Sequence, residues 1–249
     1  MSGELFSLEG HTALITGGGS GIGQAIAEAL SDAGAAILLA GRRLERLEAA
    51  LGSRTGACHT ADVATPDGVA ALSAWALQRN QPPAVLVNAA GINLRQPAGD
   101  ITPESWDRTL DLNLKTPFFL AQALVPAMRE KGWGRIINIA SLQSERAFEN
   151  GMAYGASKGG ITQLTRAMAE AWSRYGINAN AIGPGFFPTD LTQTVFDDDA
   201  RAEKLAAQTA IGRNGNLADL AGPAVFLASP ASDYVTGQVL YVDGGFTAK

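Results

Sequence analysis

The sequence predicts a doubly wound α/β fold: a parallel sheet with helices on both faces, built as one domain over residues 1–249. Three observations predict it. Short, continuously apolar runs recur along the chain, with stretches of helical periodicity between them. Glycines, 29 in all, cluster at the ends of those runs, where a strand turns sharply into a helix. The composition, 46% hydrophobic and 17% charged, suffices for one large core, and no low-complexity linker divides it.

The elements follow in order. Thr12–Thr16 (TALIT) reads as the first strand and residues 17–23 as a turn. Ile26, Ala29 and Leu30, at helical spacing, place a helix from Ile22 to about Ala33. Residues 35–40 (AAILLA) form a second strand, followed by a charged helix over Leu44–Leu51. Residues 84–88 (AVLVN) form another strand, and residues 106–128 have the length and apolar content of one long helix. Residues 135–140 (RIINIA) are a strand, residues 154–175 a helix, residues 177–182 (INANAI) a strand, and residues 238–242 (QVLYV) the last strand. Residues 186–208 are less regular and are expected to form a mobile lid that shields a site from water. Crossovers in such a sheet are right-handed, and ligands bind outside the carboxyl ends of the strands, where the strand order reverses.

Charge excludes several functions. The net charge is −5 and the cations are scattered, which argues against nucleic acid and against anionic membranes as partners. No apolar run approaches the roughly 18–20 residues needed to cross a bilayer, and the start of the chain lacks the pattern of a signal peptide, so a cytoplasmic location is expected. The single cysteine, Cys58, allows no intrachain disulfide and is read as a small buried residue. His11 and His59 lack partners at metal spacing, so no metal site is expected. Asp197, Asp198 and Asp199 read as a solvated helix start, and Trp75, Trp106, Trp133 and Trp172 as packing residues.

The first strand runs into Thr16–Gly23, TGGGSGIG, directly before a helix. Glycines here permit positive φ and close approach of a backbone to a pyrophosphate, whose charge the first N–H groups of the helix receive. The spacing, Gly17, Gly21, Gly23, differs from the G-x-G-x-x-G fingerprint. It is the T-G-x-x-x-G-x-G pattern of the short-chain dehydrogenase/reductase family, which the chain resembles over nearly its whole length. Asp62-Val63, Asn88-Ala89-Ala90-Gly91, Asn113, Ser141, Tyr154-x-x-x-Lys158, Pro184-Gly185, Thr189 and Asp243-Gly244-Gly245 recur in the family's order. The resemblance implies a single-domain Rossmann-type fold and a homotetramer.

It also implies a nicotinamide cofactor bound by Gly17, Gly19, Ser20, Gly21, Ile22 and Gly23. Asp62 and Val63 would hold the adenine. Asn88, Ala89 and Gly91 would lie beside the cofactor, with Asn88 supporting the central strand. Pro184, Gly185, Phe187 and Thr189 would cradle the nicotinamide end. An acidic residue at the end of the second strand would bind the ribose 2′-hydroxyl of NAD. Here Gly41 stands in that place, with Arg42 and Arg43 after it, and a guanidinium can bind a 2′-phosphate through two parallel hydrogen bonds. NADP(H) is therefore expected ahead of NAD(H), although Ser20 stands where many NADP-preferring relatives carry a basic residue.

Tyr154 and Lys158, four residues apart, project from the same face of a helix. A tyrosine with a pKa near 10 is a poor base at neutral pH, and an adjacent ammonium favours the phenolate, as a general acid/base requires. By the resemblance, Lys158 also binds the nicotinamide ribose. Ser141, at the carboxyl end of its strand, can donate to a substrate oxygen. Asn113 lies inside the long helix, where asparagine is unfavoured; in the family it bends the helix and holds a water leading from the lysine to solvent.

Asn93, Arg95, Gln143, Glu145, Asn150, Met152 and Phe187 flank these positions, and several of them are polar, which suits a hydroxylated substrate. Residues 91–95, 141–145 and 184–192 are similar to the gluconate 5-dehydrogenase branch. Substrate contacts are expected from Arg95 (to a carboxylate), Ser141, Gln143, Glu145 and Tyr154. The resemblance thus implies an oxidoreductase that transfers a hydride between NADP(H) and a carbonyl or secondary alcohol on a sugar acid of the gluconate/5-ketogluconate kind, a polyol or a ketone. The competing readings are a 3-oxoacyl-thioester reductase and a catalytically silent dinucleotide-binding scaffold.

Overall fold

The computed structural model describes residues 2–249. One sheet of seven parallel strands runs through it in the order β3-β2-β1-β4-β5-β6-β7. After a one-turn helix α1 (Ser2–Leu5), the chain alternates: β1 (Thr12–Thr16), α2 (Gly21–Asp32), β2 (Ala36–Gly41), α3 (Leu44–Leu51), β3 (Gly56–Thr60), α4 (Pro66–Leu77) and β4 (Val85–Asn88). Helix α5 (Pro103–Leu110) continues through a π-helical turn, Asp111–Lys115, into α6 (Thr116–Lys131). Then come β5 (Gly134–Ile139), α7 (Met152–Trp172), β6 (Ile177–Pro184), α8 (Gln193–Phe196), α9 (Asp199–Gln208), α10 (Ala221–Ala228) and β7 (Val239–Val242).

Alternation along each strand builds the two layers. On β1, Ala13 and Ile15 face α2 and α10, packing with Ile26, Leu30, Ala224 and Leu227. Leu14 faces the other way, into Leu72, Leu120, Leu124 and Met168 of α4, α6 and α7. Both layers bury apolar surface at roughly 25 cal/mol per Å², so β1, β4 and β5, covered on both sides, read as uninterrupted apolar runs.

Four expectations are corrected. The sheet has a seventh strand, β3, whose sequence GACHT is small and polar and which lies at the edge of the sheet, paired with β2. Cys58 on this strand is half-buried rather than buried. The long helix starts earlier, at Pro103, where Thr102 and Ser105 form a capping box, and a π turn interrupts it at Asn113. Residues 186–208 hold two helices, the second capped by the Asp198 side chain, which accepts from Arg201 N. His11 stacks on Trp133 and His59 on Trp75, at ring-centroid distances of 4.2 and 4.8 Å. No described helix is long and apolar enough to cross a membrane.

The strand order reverses between β1 and β4. Thr16, Asn88 and Asn138 lie side by side at the carboxyl ends of β1, β4 and β5, which is where such a sheet opens a crevice.

Candidate active site

A cleft of about 480 Å³ runs along these strand ends. One part is bare backbone. Gly17 has φ +68°, and a Cβ there would lie 2.9 Å from the Ala90 backbone; a Cβ on Gly23 would lie 2.3 Å from the Gly17 carbonyl oxygen. Side chains are excluded from both positions by the neighbouring backbone, and both glycines line the cleft as main chain. Helix α2 begins at Gly21, and the Ser20 side chain makes no cap hydrogen bond. The leading N–H groups of α2 thus keep their capacity for an anion. Gly19, Ser20, Ile22, Gly41, Arg42, Arg43, Asp62, Val63, Ala89 and Gly91 line this same stretch.

Arg46, which the sequence reading missed, closes it. Its Nη1 donates to Asp190 Oδ2 at 2.6 Å, with Arg43 at 3.8 Å, joining α3 to the segment after β6. The partners are 144 residues apart, and no local pattern announces such a pair.

The other end of the cleft gathers the polar groups. Ser141 follows β5, and its Oγ accepts from Gln143 N at 3.1 Å. That bond fixes the oxygen as an acceptor from its own chain and leaves the hydroxyl proton for a partner in the cleft. Tyr154 and Lys158 project from the first turns of α7, both almost wholly buried. Lys158 Nζ donates to Ile139 O at 2.6 Å and lies 5.6 Å from the Tyr154 ring centroid. Pro184, Gly185, Phe187 and Thr189 form the adjoining wall, and Asn93, Arg95 and Gln143 line it as expected.

Electrostatics corrects the expectation for Tyr154. Burial pushes its phenol above the ordinary tyrosine value; the Ser141 hydroxyl and the Arg95 guanidinium pull the other way. Burial lowers Lys158 to about 8. Desolvation thus shifts both groups in the direction of their neutral forms, while Lys158 remains mostly charged at neutral pH.

Asn113 lies behind the cleft. Its Oδ1 accepts from Ile92 N and its Nδ2 donates to Ile92 O, each at 2.9 Å, while Nδ2 also reaches Ser157 Oγ at 3.1 Å. Ser157 Oγ in turn donates to Tyr154 O at 2.7 Å. The π turn thus ties the loop after β4 to the helix that carries Tyr154 and Lys158. Ser157 is a support the sequence reading did not single out.

Four further positions differ from expectation. Asn88 does not line the cleft; its Nδ2 donates to Asn138 Oδ1 at 2.8 Å inside the sheet, which is the strand-supporting part of its expected role. Glu145 is exposed outside the cleft, where its carboxylate, together with burial, helps push the Tyr241 phenol up to about 12. Asn150 and Met152 also lie outside the lining, both exposed.

Comparison with known proteins agrees with this geometry. The family profile described as Enoyl-(Acyl carrier protein) reductase matches residues 17–247. The chain is 39% identical to gluconate 5-dehydrogenase of Gluconobacter oxydans, over 99% of this chain and 98% of that protein. It is 42% identical to 2-dehydro-3-deoxy-D-gluconate 5-dehydrogenase of Bacillus subtilis, with the same coverage. The crystal structure of a gluconate 5-dehydrogenase from Burkholderia cenocepacia in complex with NADP and tartrate superposes with a TM-score of 0.95, at 40% identity and full coverage of both chains. With the glycine turn, the strand order and the Ser141–Tyr154–Lys158 cluster all in place, the chain belongs to the short-chain dehydrogenase/reductase family of oxidoreductases.

Proposed function

We propose that this protein is an NADP(H)-dependent oxidoreductase interconverting a carbonyl and a secondary alcohol on a sugar acid of the gluconate/5-ketogluconate kind. One observation carries the proposal. Ser141, Tyr154 and Lys158 converge at one end of a cleft whose other end is the bare glycine turn beside Gly41 and Arg42. The names of the relatives and the NADP and tartrate bound to one of them support it.

The residues present fit the cofactor. The Gly17–Gly23 turn and the start of α2 would hold the pyrophosphate, Arg42 and Arg43 the 2′-phosphate, and Asp62 and Val63 the adenine. Ala89, Gly91, Pro184, Gly185, Phe187 and Thr189 would border the nicotinamide, and Lys158 its ribose. When bound, the cofactor supplies or accepts the hydride. The chain's own groups handle the oxygen. In reduction, Ser141 donates a hydrogen bond to the carbonyl oxygen and Tyr154 delivers its proton there as negative charge develops. The Lys158 ammonium then stabilises the phenolate left behind. In oxidation, Tyr154 takes the hydroxyl proton back. Arg95 pairs with the substrate carboxylate and Gln143 with its hydroxyls. Residues 186–208, anchored at Asp190 to Arg46, serve as the lid. The half-exposed apolar edge strand β7 is the surface on which the homotetramer assembles.

A spectrophotometric screen at 340 nm tests this reading, with both cofactors in both directions against sugar acids, polyols, ketones and β-ketoacyl thioesters. Turnover of 5-ketogluconate with NADPH is expected. Preference for a β-ketoacyl thioester would move the substrate to fatty-acid chemistry. NADPH binding without any turnover would leave only a silent scaffold.

A further inference from the structure

Three phenylalanines far apart in sequence meet at the edge of the cleft. Ring centroids are 5.9 Å apart for Phe148 and Phe186, 6.1 Å for Phe148 and Phe246, and 5.9 Å for Phe186 and Phe246. The planes are edge-on or tilted, which are the favoured arrangements for aromatic pairs. Phe148 and Phe186 line the cleft, whereas Phe246 stands behind them, only 8% exposed. Phe148 belongs to the segment between Ser144 and α7, and Phe186 to the segment after β6. Neither segment has regular structure at that point; the Phe186 carbonyl accepts from Gly215 N at 2.8 Å and the Phe148 carbonyl from Gly151 N at 3.2 Å, and the rings themselves are held by their packing.

Phe246 is itself held firmly. The Asp243 carboxylate accepts from Gly245 N and Thr247 N at 2.9 Å each and from Thr247 Oγ1 at 2.7 Å. Gly244 and Gly245 adopt φ of +63° and +76°, and the Gly244 carbonyl accepts from Ala210 N at 2.7 Å and Ile211 N at 3.2 Å. On the other side, Arg146 Nη2 donates to Thr247 O at 3.3 Å. One short segment therefore grips both the exit of α9 and the loop that carries Phe148.

We propose that Phe246 is a positioning residue for substrate, holding Phe148 and Phe186 as an apolar wall against the C–H face of an open-chain polyhydroxy acid. Such a chain presents hydroxyls for Gln143 and a carboxylate for Arg95, and its C–H groups gain dispersion contacts only against a wall that stays in place. The proposal rests on the functional reading above and deepens it.

The test compares wild type with Phe246→Ala, Phe246→Leu and Phe148→Ala. The loss of two aromatic contacts in Phe246→Ala is expected to raise KM for 5-ketogluconate about tenfold. Its kcat and the Kd for NADPH should stay within about twofold, because Phe246 touches neither cofactor nor reacting atoms. Phe246→Leu, which keeps apolar volume without the ring, should fall between. Adding Phe148→Ala to Phe246→Ala should raise KM less than the two single effects combined, as coupled neighbours do. Amide exchange across residues 145–151 and 185–189 should rise in Phe246→Ala, a readout independent of any substrate. Unchanged exchange in Phe246→Ala, or an unchanged KM in that variant when the wild type turns over 5-ketogluconate, overturns this inference and leaves the functional reading standing. Should Phe246→Ala not fold, Phe246→Leu decides by the same exchange and KM readouts. Equal losses in KM, kcat and NADPH binding would also overturn it, since they would mark general loosening.

Discussion

The Lys158 ammonium and the Ile139 carbonyl oxygen are 2.6 Å apart, so the lysine of the site is anchored to the strand that delivers Ser141. This fixes the cation 5.6 Å from the Tyr154 ring centroid and buries it, lowering its pKa to about 8. The proposed reduction needs Lys158 charged, and it is charged below that value. kcat/KM for carbonyl reduction should therefore fall as pH rises through about 8, and a pH–rate profile would show it.

The same burial links to stability. Unfolded lysine titrates near about 10.4, so between about pH 8 and that value the unfolded chain binds the extra proton and stability gains with pH. Below about 8 the full cost of burying the charge is present. The stability of Lys158→Met relative to wild type should be most favourable at pH 7 and decline toward pH 10. Denaturant melts at the two pH values measure it; a pH-independent difference would contradict it.

Asn113→Ala removes three hydrogen bonds and leaves both the N–H and the C=O of Ile92 without their partner. Destabilisation of about 1–3 kcal/mol is expected, from unfolding curves. Turnover should fall as well, since Ser157 and through it Tyr154 lose their tie to the π turn.

Gly41→Asp should reverse cofactor preference. A Cβ at Gly41 would come 3.3 Å from the flexible Leu47 Cδ2 and meet nothing tighter, so the fold should accept it. A carboxylate there repels a 2′-phosphate and binds a ribose hydroxyl. The NADH-to-NADPH ratio of kcat/KM should rise at least about tenfold; an unchanged ratio would remove Gly41 and Arg42 from cofactor selection.

The sheet was legible wherever strands were covered on both faces, because burial writes itself as apolar runs: β1, β2, β4, β5 and β6 are nearly all buried. β3 escaped because an edge strand of glycine, alanine, cysteine, histidine and threonine carries no such run. The glycine turn and the Tyr154–Lys158 pair were legible because their chemistry is local in sequence. The Arg46–Asp190 bridge, the Asn113–Ser157 tie and the three-phenylalanine wall were not, since each joins residues that only the fold brings together. The sign of the Tyr154 shift was missed for a related reason: spacing shows the neighbouring cation, and only packing shows the desolvation.

The most direct test of the account is the rate of NADPH oxidation at 340 nm with Tyr154→Phe, beside its affinity for NADPH. Removing the phenolic proton donor while keeping the ring should abolish nearly all turnover of 5-ketogluconate and leave NADPH binding within about twofold of wild type. A Phe variant that retains a large share of wild-type kcat would show that Tyr154 is not the acid/base.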